Sequence, residues 1–249
     1  MAAGLQLGRQ RRSVIVIDAG EPRNAPAAHM HSYLGHEGIA PDQLLEIARE
    51  EVRSYGTEIL TTQAMDVTRG EDGRFRVALT SGGTIIARRI LAATGLVDEL
   101  PDIDGLGRHW GSDVIHCPFC HGYEARDQRI VQIITHPMGL HTAGLFRQLS
   151  EQLTLVLHDG VTINDPAVLA LRSAGVSIVD AHVQRIVDDE TGRLTAVELT
   201  DSTRIAADAV VIGTRFSVRD APFVSLDITT TPHPSGLGDV VETNPSGET

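Results

Sequence analysis

Ser13-Val-Ile-Val-Ile-Asp18 is a run of four apolar residues closed by an acid. Such a run fits a strand covered on both faces, as in a parallel sheet. Similar apolar segments return at residues 129–135, 153–158, 176–179 and 207–213. Helical patterns stand between them. Residues 139–151 carry Leu140, Ala143, Leu145, Phe146 and Leu149 on one side. Asn164 or Asp165 caps a second helix, with Pro166 in its first turn and Gly175 past its end. Strands alternating with helices predict an α/β chain with a mostly parallel sheet.

Outward from Ser13, the N-terminal residues read as the end of a helix and a turn. After Asp18 come a turn, Gly20-Glu-Pro-Arg-Asn24, and a His-, Gly- and Pro-rich loop to Ala40. Residues 42–55 place Leu44, Leu45, Ile47, Ala48 and Val52 on a helical stripe, and Gly56 suits its end. The period then shortens to two over residues 57–59, 63–69, 74–79 and 84–90, which reads as an antiparallel meander. Ile90-Leu-Ala-Ala-Thr-Gly95 reads as a buried strand. Residues 182–187 and 194–199 read as a hairpin turning at 188–192. Two units share this layout, strands and helices with a small antiparallel insert. Residues 222–249 show little regular pattern.

The bulk composition narrows the function. The 249 residues suit one large domain or two smaller ones, and 41% are hydrophobic. Aromatics are 4%, so the core must be built mostly from Val, Ile, Leu and Ala. The formal net charge of −12 argues against nucleic acid, because the only basic cluster is Arg9, Arg11 and Arg12. No apolar run is long enough to span a bilayer, and no secretory leader is visible, so a membrane role is not expected and a reducing cytoplasm is. Two cysteines do not make a disulfide scaffold for a chain of this length.

Those cysteines stand in Cys117-Pro-Phe-Cys120-His-Gly-Tyr-Glu124. Three residues apart, the sulfurs can meet across one turn, and a neighbouring His can take or supply a proton. Three other readings compete. C-x-x-C-H is also the attachment pattern of c-type haem. His116, Cys117, Cys120 and His121 are zinc-ligand types, although no second pair completes a tetrahedron, and no metal site is expected. The cysteines can also be inert buried residues.

The surrounding residues favour the redox reading through a resemblance. The chain is similar to the thioredoxin-reductase-like, FAD-dependent pyridine nucleotide-disulfide oxidoreductases. Within them it resembles the C-x-x-C-H-G-Y-E subgroup and the dithiol oxidases of small sulfur metabolites. Asp18 matches the acid that the family places on the adenosine ribose. The turn at 20–24 and the Ser32-Tyr-Leu-Gly35 segment match flavin-contact loops, Ala93-Thr-Gly95 matches a strand end near the flavin, and Asp239 lies in a late flavin-domain segment. The resemblance implies two dinucleotide-binding, Rossmann-like three-layer domains, the second inserted into the first. The FAD-binding-like domain covers 1–112 and 214–249, and the NAD(P)-binding-like domain with the redox cysteines covers 113–213. It assigns Cys117, Cys120 and His121 to catalysis and Asp18, Arg23, Asn24, Leu34, Gly35, Thr94, Gly95 and Asp239 to FAD. Cys120 would meet the flavin and Cys117 the substrate. His121 replaces the aspartic acid of thioredoxin reductases, which leans toward the oxidases. The implied partner is a small dithiol or a thioredoxin-like protein, and the implied assembly a homodimer.

The chain also departs from the family pattern. The first strand with its G-x-G-x-x-G loop is absent, and the chain stops before the closing flavin segment, so truncation at both ends and impaired FAD retention are expected. The nicotinamide turn reads Thr135-His-Pro-Met-Gly139, with bulk where glycines belong and no basic pair after His158, so NADPH binding is weakly supported. The rival reading is a non-catalytic relic or binding module that keeps the fold without flavin. His29, His31 and His36 read as solvated loop residues. The family brings that loop toward the flavin, yet the sequence assigns neither His29 nor His31 a role.

Overall fold

The structure, a computed structural model, describes residues 1–249. The chain starts with α1 (Ala2–Arg9), β1 (Ile15–Asp18), α2 (Pro41–Ser54) and β2 (Glu58–Thr61). β1 and β2 pair in parallel, Ile15 beside Glu58 and Asp18 beside Thr61. An antiparallel sheet follows in the order β3 (Ala64–Arg69), β4 (Phe75–Leu79), β5 (Thr84–Ala87). Next come β6 (Leu96–Glu99), β7 (Val114–Ile115), α3 (Pro118–His121), β8 (Ile130–Ile134), α4 (Leu140–Leu149), β9 (Leu153–Leu157), α5 (Pro166–Ser173) and β10 (Ser177–Val179). The chain continues with β11 (Val183–Asp188), β12 (Leu194–Leu199), β13 (Arg204–Ala206), β14 (Ala209–Ile212), β15 (Arg215–Val218), β16 (Thr230–Pro232) and β17 (Asp239–Val241).

Two compact units share the chain. The first holds Met1–Ala25, Ala40–Asp98 and Phe216–Thr249, and the second holds Pro26–Ile39 and Glu99–Arg215. The second unit is built on a five-stranded sheet in the order β10-β9-β8-β14-β7, parallel throughout. Successive side chains of a strand point to opposite faces. So Val131 and Ile133 of β8 enter one core with Ile186 and Val197 of the antiparallel β11-β12-β13 sheet. Ile130 and Ile134 enter the other core with Ala143 and Phe146 of α4 and Val168 of α5. The result is three layers: antiparallel sheet, parallel sheet, helices. The double burial explains why these strands read as unbroken apolar runs. Asp165 caps α5 by accepting from Ala167 N at 2.8 Å, and Pro166 fills the first turn, where its missing N–H costs nothing.

In the first unit, α1 comes close through two buried glycines. A Cβ on Gly4 would stand 3.0 Å from Val16 Cγ2, and one on Gly8 would stand 2.7 Å from Thr57 Oγ1. Thr57 Oγ1 donates to the Gly4 carbonyl at 3.1 Å. A small separate core, Val67, Val77 and Phe223, lies under the β3-β4-β5 sheet.

Two expectations need correction. The segment expected at 57–59 is not part of the meander: β2 pairs in parallel with β1, and the antiparallel sheet has three strands. The apolar run at 90–95 is not a buried strand. It is irregular and exposed, Leu91 by 68%, and has no ladder partner to take up its backbone polar groups. β6, β7, β13, β15, β16 and β17 are additional short strands that the sequence pattern does not announce.

Candidate active site

The geometry around the cysteines lies within the second unit. β7 delivers the chain to the cysteine turn, and His116 Nδ1 meets the Ile212 carbonyl at 3.1 Å. The Cys117 carbonyl then accepts from the backbone N–H groups of Cys120 and His121, each at 3.2 Å. Pro118 opens this single turn. The turn brings the two Cα atoms to 5.3 Å, and Cys117 and Cys120 are joined as a disulfide. Cys117 is half-buried and Cys120 exposed. Gly122 ends the turn where no side chain fits, because a Cβ there would run into the Pro118 carbonyl and stand 2.6 Å from Leu149 Cδ1.

His121 is half-buried, and its Nε2 is buried without a hydrogen-bond partner. Burial holds the imidazole below its ordinary pKa, with the nearby His31 acting in the same direction and the Glu124 charge opposing. A neutral imidazole with a bare nitrogen is a proton acceptor.

The 26–39 loop reaches the same place. Its ends are tied by Met30 N to the Ile39 carbonyl at 2.9 Å and Gly38 N to the Met30 carbonyl at 3.0 Å. Ser32 takes a left-handed backbone, φ +64°, and its Oγ donates to the Phe119 carbonyl at 3.4 Å, between the cysteines. His31 Nδ1 meets Glu37 Oε1 at 2.8 Å, and its Nε2 lies 3.5 Å from Glu124 Oε1. Ser32 N donates to the other Glu37 oxygen at 2.8 Å. These two bonds, His31 first, hold the Glu37 carboxyl below the usual range. The rings of His31 and His121 stand edge to face, centroids 6.4 Å apart. From the sequence His31 reads as a solvated loop residue and Glu37 is not singled out. The one available signal was the acid spaced six residues after His31 in a glycine-rich loop.

The residues expected at a flavin divide between the units. In the first, Asp18 ends β1, accepting from Gly20 N at 3.0 Å and from Arg49 at 2.7 and 3.0 Å. Arg23 makes a two-pronged pair with Asp98 at 2.6 and 2.5 Å, and Asn24 is exposed beside it in the turn. Thr94 and Gly95 are exposed, with open space where a Gly95 side chain would be, and Asp239 is exposed on β17. In the second unit, Leu34 is fully exposed and Gly35 again faces open space. Within the first unit, a carboxylate at a strand end and bare glycine backbone at Gly95 are groups of the kind that hold a flavin nucleotide.

The nicotinamide turn does not fit its cofactor. His136 Nδ1 accepts from Met138 N at 3.2 Å, and the His136 carbonyl accepts from Gly139 N at 2.9 Å. Gln132 Nε2 reaches into the turn, donating to the Gly139 carbonyl at 2.7 Å and to Thr142 Oγ1 at 2.9 Å. After β9, Gly160 N donates to its neighbour Asp159 at 2.7 Å. The N–H groups of Met138, Gly139 and Gly160 are committed internally, and Asp159 adds a negative charge.

The family model of the pyridine nucleotide-disulphide oxidoreductases matches residues 1–237. The chain belongs to that family. Within it the protein is thioredoxin-reductase-like. It is 30% identical over 219 residues to a thioredoxin reductase of Leptosphaeria maculans, covering 82% of this chain and 67% of the relative. It is 28% identical over 217 residues to one of Claviceps purpurea, covering 84% and 68%. Among solved structures, HlmI is 40% identical with a TM-score of 0.87, covering 99% of this chain and 76% of its own. An oxidoreductase from Agrobacterium tumefaciens is 31% identical with a TM-score of 0.88, covering 98% and 80%. This oxidoreductase therefore shares the family's two-Rossmann-domain α/β fold.

Proposed function

We propose that this oxidoreductase closes disulfides in a small dithiol, using Cys117–Cys120 as the electron acceptor. The observation that carries the reading is the bare, buried Nε2 of His121, the residue directly after the disulfide's Cys120. In the first step a substrate thiol gives its proton to that nitrogen. The thiolate attacks Cys117 Sγ, the Cys117–Cys120 bond breaks, and Cys120 leaves as thiolate. The second substrate thiol, deprotonated in turn, attacks the substrate sulfur bound to Cys117, and Cys117 leaves as thiolate. The substrate loses two electrons and two protons, and the cysteine pair takes the electrons. A bound FAD supplies the two-electron acceptor for that reduced pair. Cys120 is the more exposed of the two cysteines, and in the first unit Asp18, Thr94 and Gly95 are groups that would hold the cofactor.

The reductive direction, with a thioredoxin-like partner, has the names of the relatives in its favour. The internally committed turn at 135–139 opposes it, because that direction draws its electrons from NADPH. The test is to incubate the purified protein with FAD, remove the excess and record the visible spectrum under nitrogen. Dithiothreitol should bleach the retained flavin band within seconds, and NADPH at the same concentration at least about tenfold more slowly. Cys117→Ser and Cys120→Ser variants should stay coloured with dithiothreitol. Faster bleaching by NADPH than by the dithiol would reverse the assigned direction. A folded, colourless protein would support the non-catalytic reading instead.

A further inference from the structure

Oxidation of a dithiol releases two protons on one face of the disulfide, yet the unpartnered Nε2 of His121 holds only one. We propose that His31 is the second proton acceptor of the site, positioned by Glu37 and coupled to His121 through Glu124. This rests on the dithiol-oxidation reading above and adds a residue to it.

The geometry assigns each group its part. Glu37 accepts from His31 Nδ1 at 2.8 Å, which fixes the proton on Nδ1 and leaves Nε2 with its lone pair. That Nε2 faces Glu124 Oε1 at 3.5 Å. The carboxylate has nothing to accept from a neutral Nε2, but it stabilises the imidazolium formed when Nε2 takes a proton. Glu124 also acts on His121, where its charge favours the protonated ring. Three titratable groups therefore surround His31: Glu37 bonded to Nδ1, Glu124 at Nε2, and the His121 ring edge to face. Two imidazolium charges balance two carboxylates, so the site can hold both protons of a turnover without net charge. His29 contributes its backbone to His121, while its own Nδ1 meets the Gly38 carbonyl at 3.1 Å. The 26–39 loop is fastened at Phe119 by Ser32 Oγ, so His31 moves with the cysteine turn.

In this assignment His31 takes the proton on Nε2 and Glu37 is the positioning residue. The competing explanation is that His31 and Glu37 only pin the loop. Flavin-free, oxidised protein distinguishes the two. Under nitrogen, excess dithiothreitol opens the Cys117–Cys120 bond, samples are quenched with iodoacetamide, and alkylated cysteines are counted by mass. The rates are compared at pH 6.5, 7.5 and 9.5 for the wild type, His31→Asn, Glu37→Gln and His121→Asn.

The expected result is that His31→Asn opens about tenfold more slowly at pH 6.5 and 7.5, a fraction of what a whole general base supplies. At pH 9.5 it should approach the wild type to within about twofold, because the dithiol then ionises unaided. Glu37→Gln should lose less with the same pH dependence, and His121→Asn should lose more. Wild-type rates for His31→Asn at pH 6.5–7.5, or equal slowing at every pH, would overturn the relay and leave the dithiol reading intact. A wild-type disulfide that dithiothreitol does not open at any pH would remove both. Should His31→Asn fail to fold, by circular dichroism, Glu37→Gln decides by the same criterion.

Discussion

His121 and His158 are two imidazoles whose proton affinity the fold lowers, burial being the largest cause for each. His158 closes β9 by accepting from Val183 N at 2.8 Å and meets His182 edge to face. Both groups bind protons less readily folded than unfolded. As pH falls, the unfolded chain takes protons first. Their contribution is fully present above about pH 6.5 and declines as pH drops through that value toward the lowered ones. Trp110, the single tryptophan, packs against the second unit's core and reports its unfolding. The urea midpoint by Trp110 fluorescence should fall between pH 7.5 and 5.5. In His158→Gln, which keeps an acceptor for Val183 N, the slope should be shallower by up to about one proton. An unchanged slope would contradict the assignment. The site residues differ in how far the sequence reveals them. Cys117, Cys120 and His121 are visible because their interaction is local, across one turn. His31 and Glu37 are not, because Ser32 and Phe119, the point where their loop attaches, are 87 residues apart.

At the scale of elements, α1 shows two effects of opposite sign. Gly8→Ala should raise helix propensity by about 1 kcal/mol. The added Cβ, however, would stand 2.7 Å from Thr57 Oγ1 and 3.2 Å from Tyr55 Cβ, and Thr57 is itself bonded to the Gly4 carbonyl. Overpacking against a buried, bonded neighbour costs about 1–3 kcal/mol. The net change should be destabilising, seen as faster proteolysis of residues 1–60 at unchanged Trp110 fluorescence. The apolar runs teach the same lesson about context. Those at 130–134, 153–157 and 209–212 become central strands because neighbours cover both faces. The run at 90–95 carries the same local signal and stays uncovered, because a ladder partner is a distant segment that composition does not specify. β2 has the period of a meander strand, yet it pairs with β1.

Across the whole molecule, burial is uneven. Ile130, Ile134, Leu155, Val156, Val210 and Ile212 of the second unit are all fully inaccessible, and α4 adds Phe146. Each such side chain contributes about 1.5–3 kcal/mol on burial. The first unit buries fewer side chains and less completely, mainly Val52, Val67 and Val77. Hydrogen exchange should therefore be slowest in β8, β9 and β14, intermediate in β3 and β4, and fastest in residues 90–95. Comparable protection in both units, read by mass spectrometry, would refute this ordering. The partition also decides which segments travel together. The 26–39 loop belongs with the cysteine turn although the surrounding chain belongs to the other unit.

The sequence by itself determined whatever rests on near neighbours and repeating period. It specified the α/β alternation, the cap at Asp165, the disulfide-capable spacing of Cys117 and Cys120, and the imidazole next to it. Tertiary structure alone decided which apolar runs became buried strands, that Gln132 reaches into the nucleotide turn, and that Glu37, His31 and Glu124 gather at His121. The physical reason is range. A helix stripe or a C-x-x-C turn is written within a few residues, whereas a strand's partner or a carboxylate's imidazole is chosen by how distant segments pack.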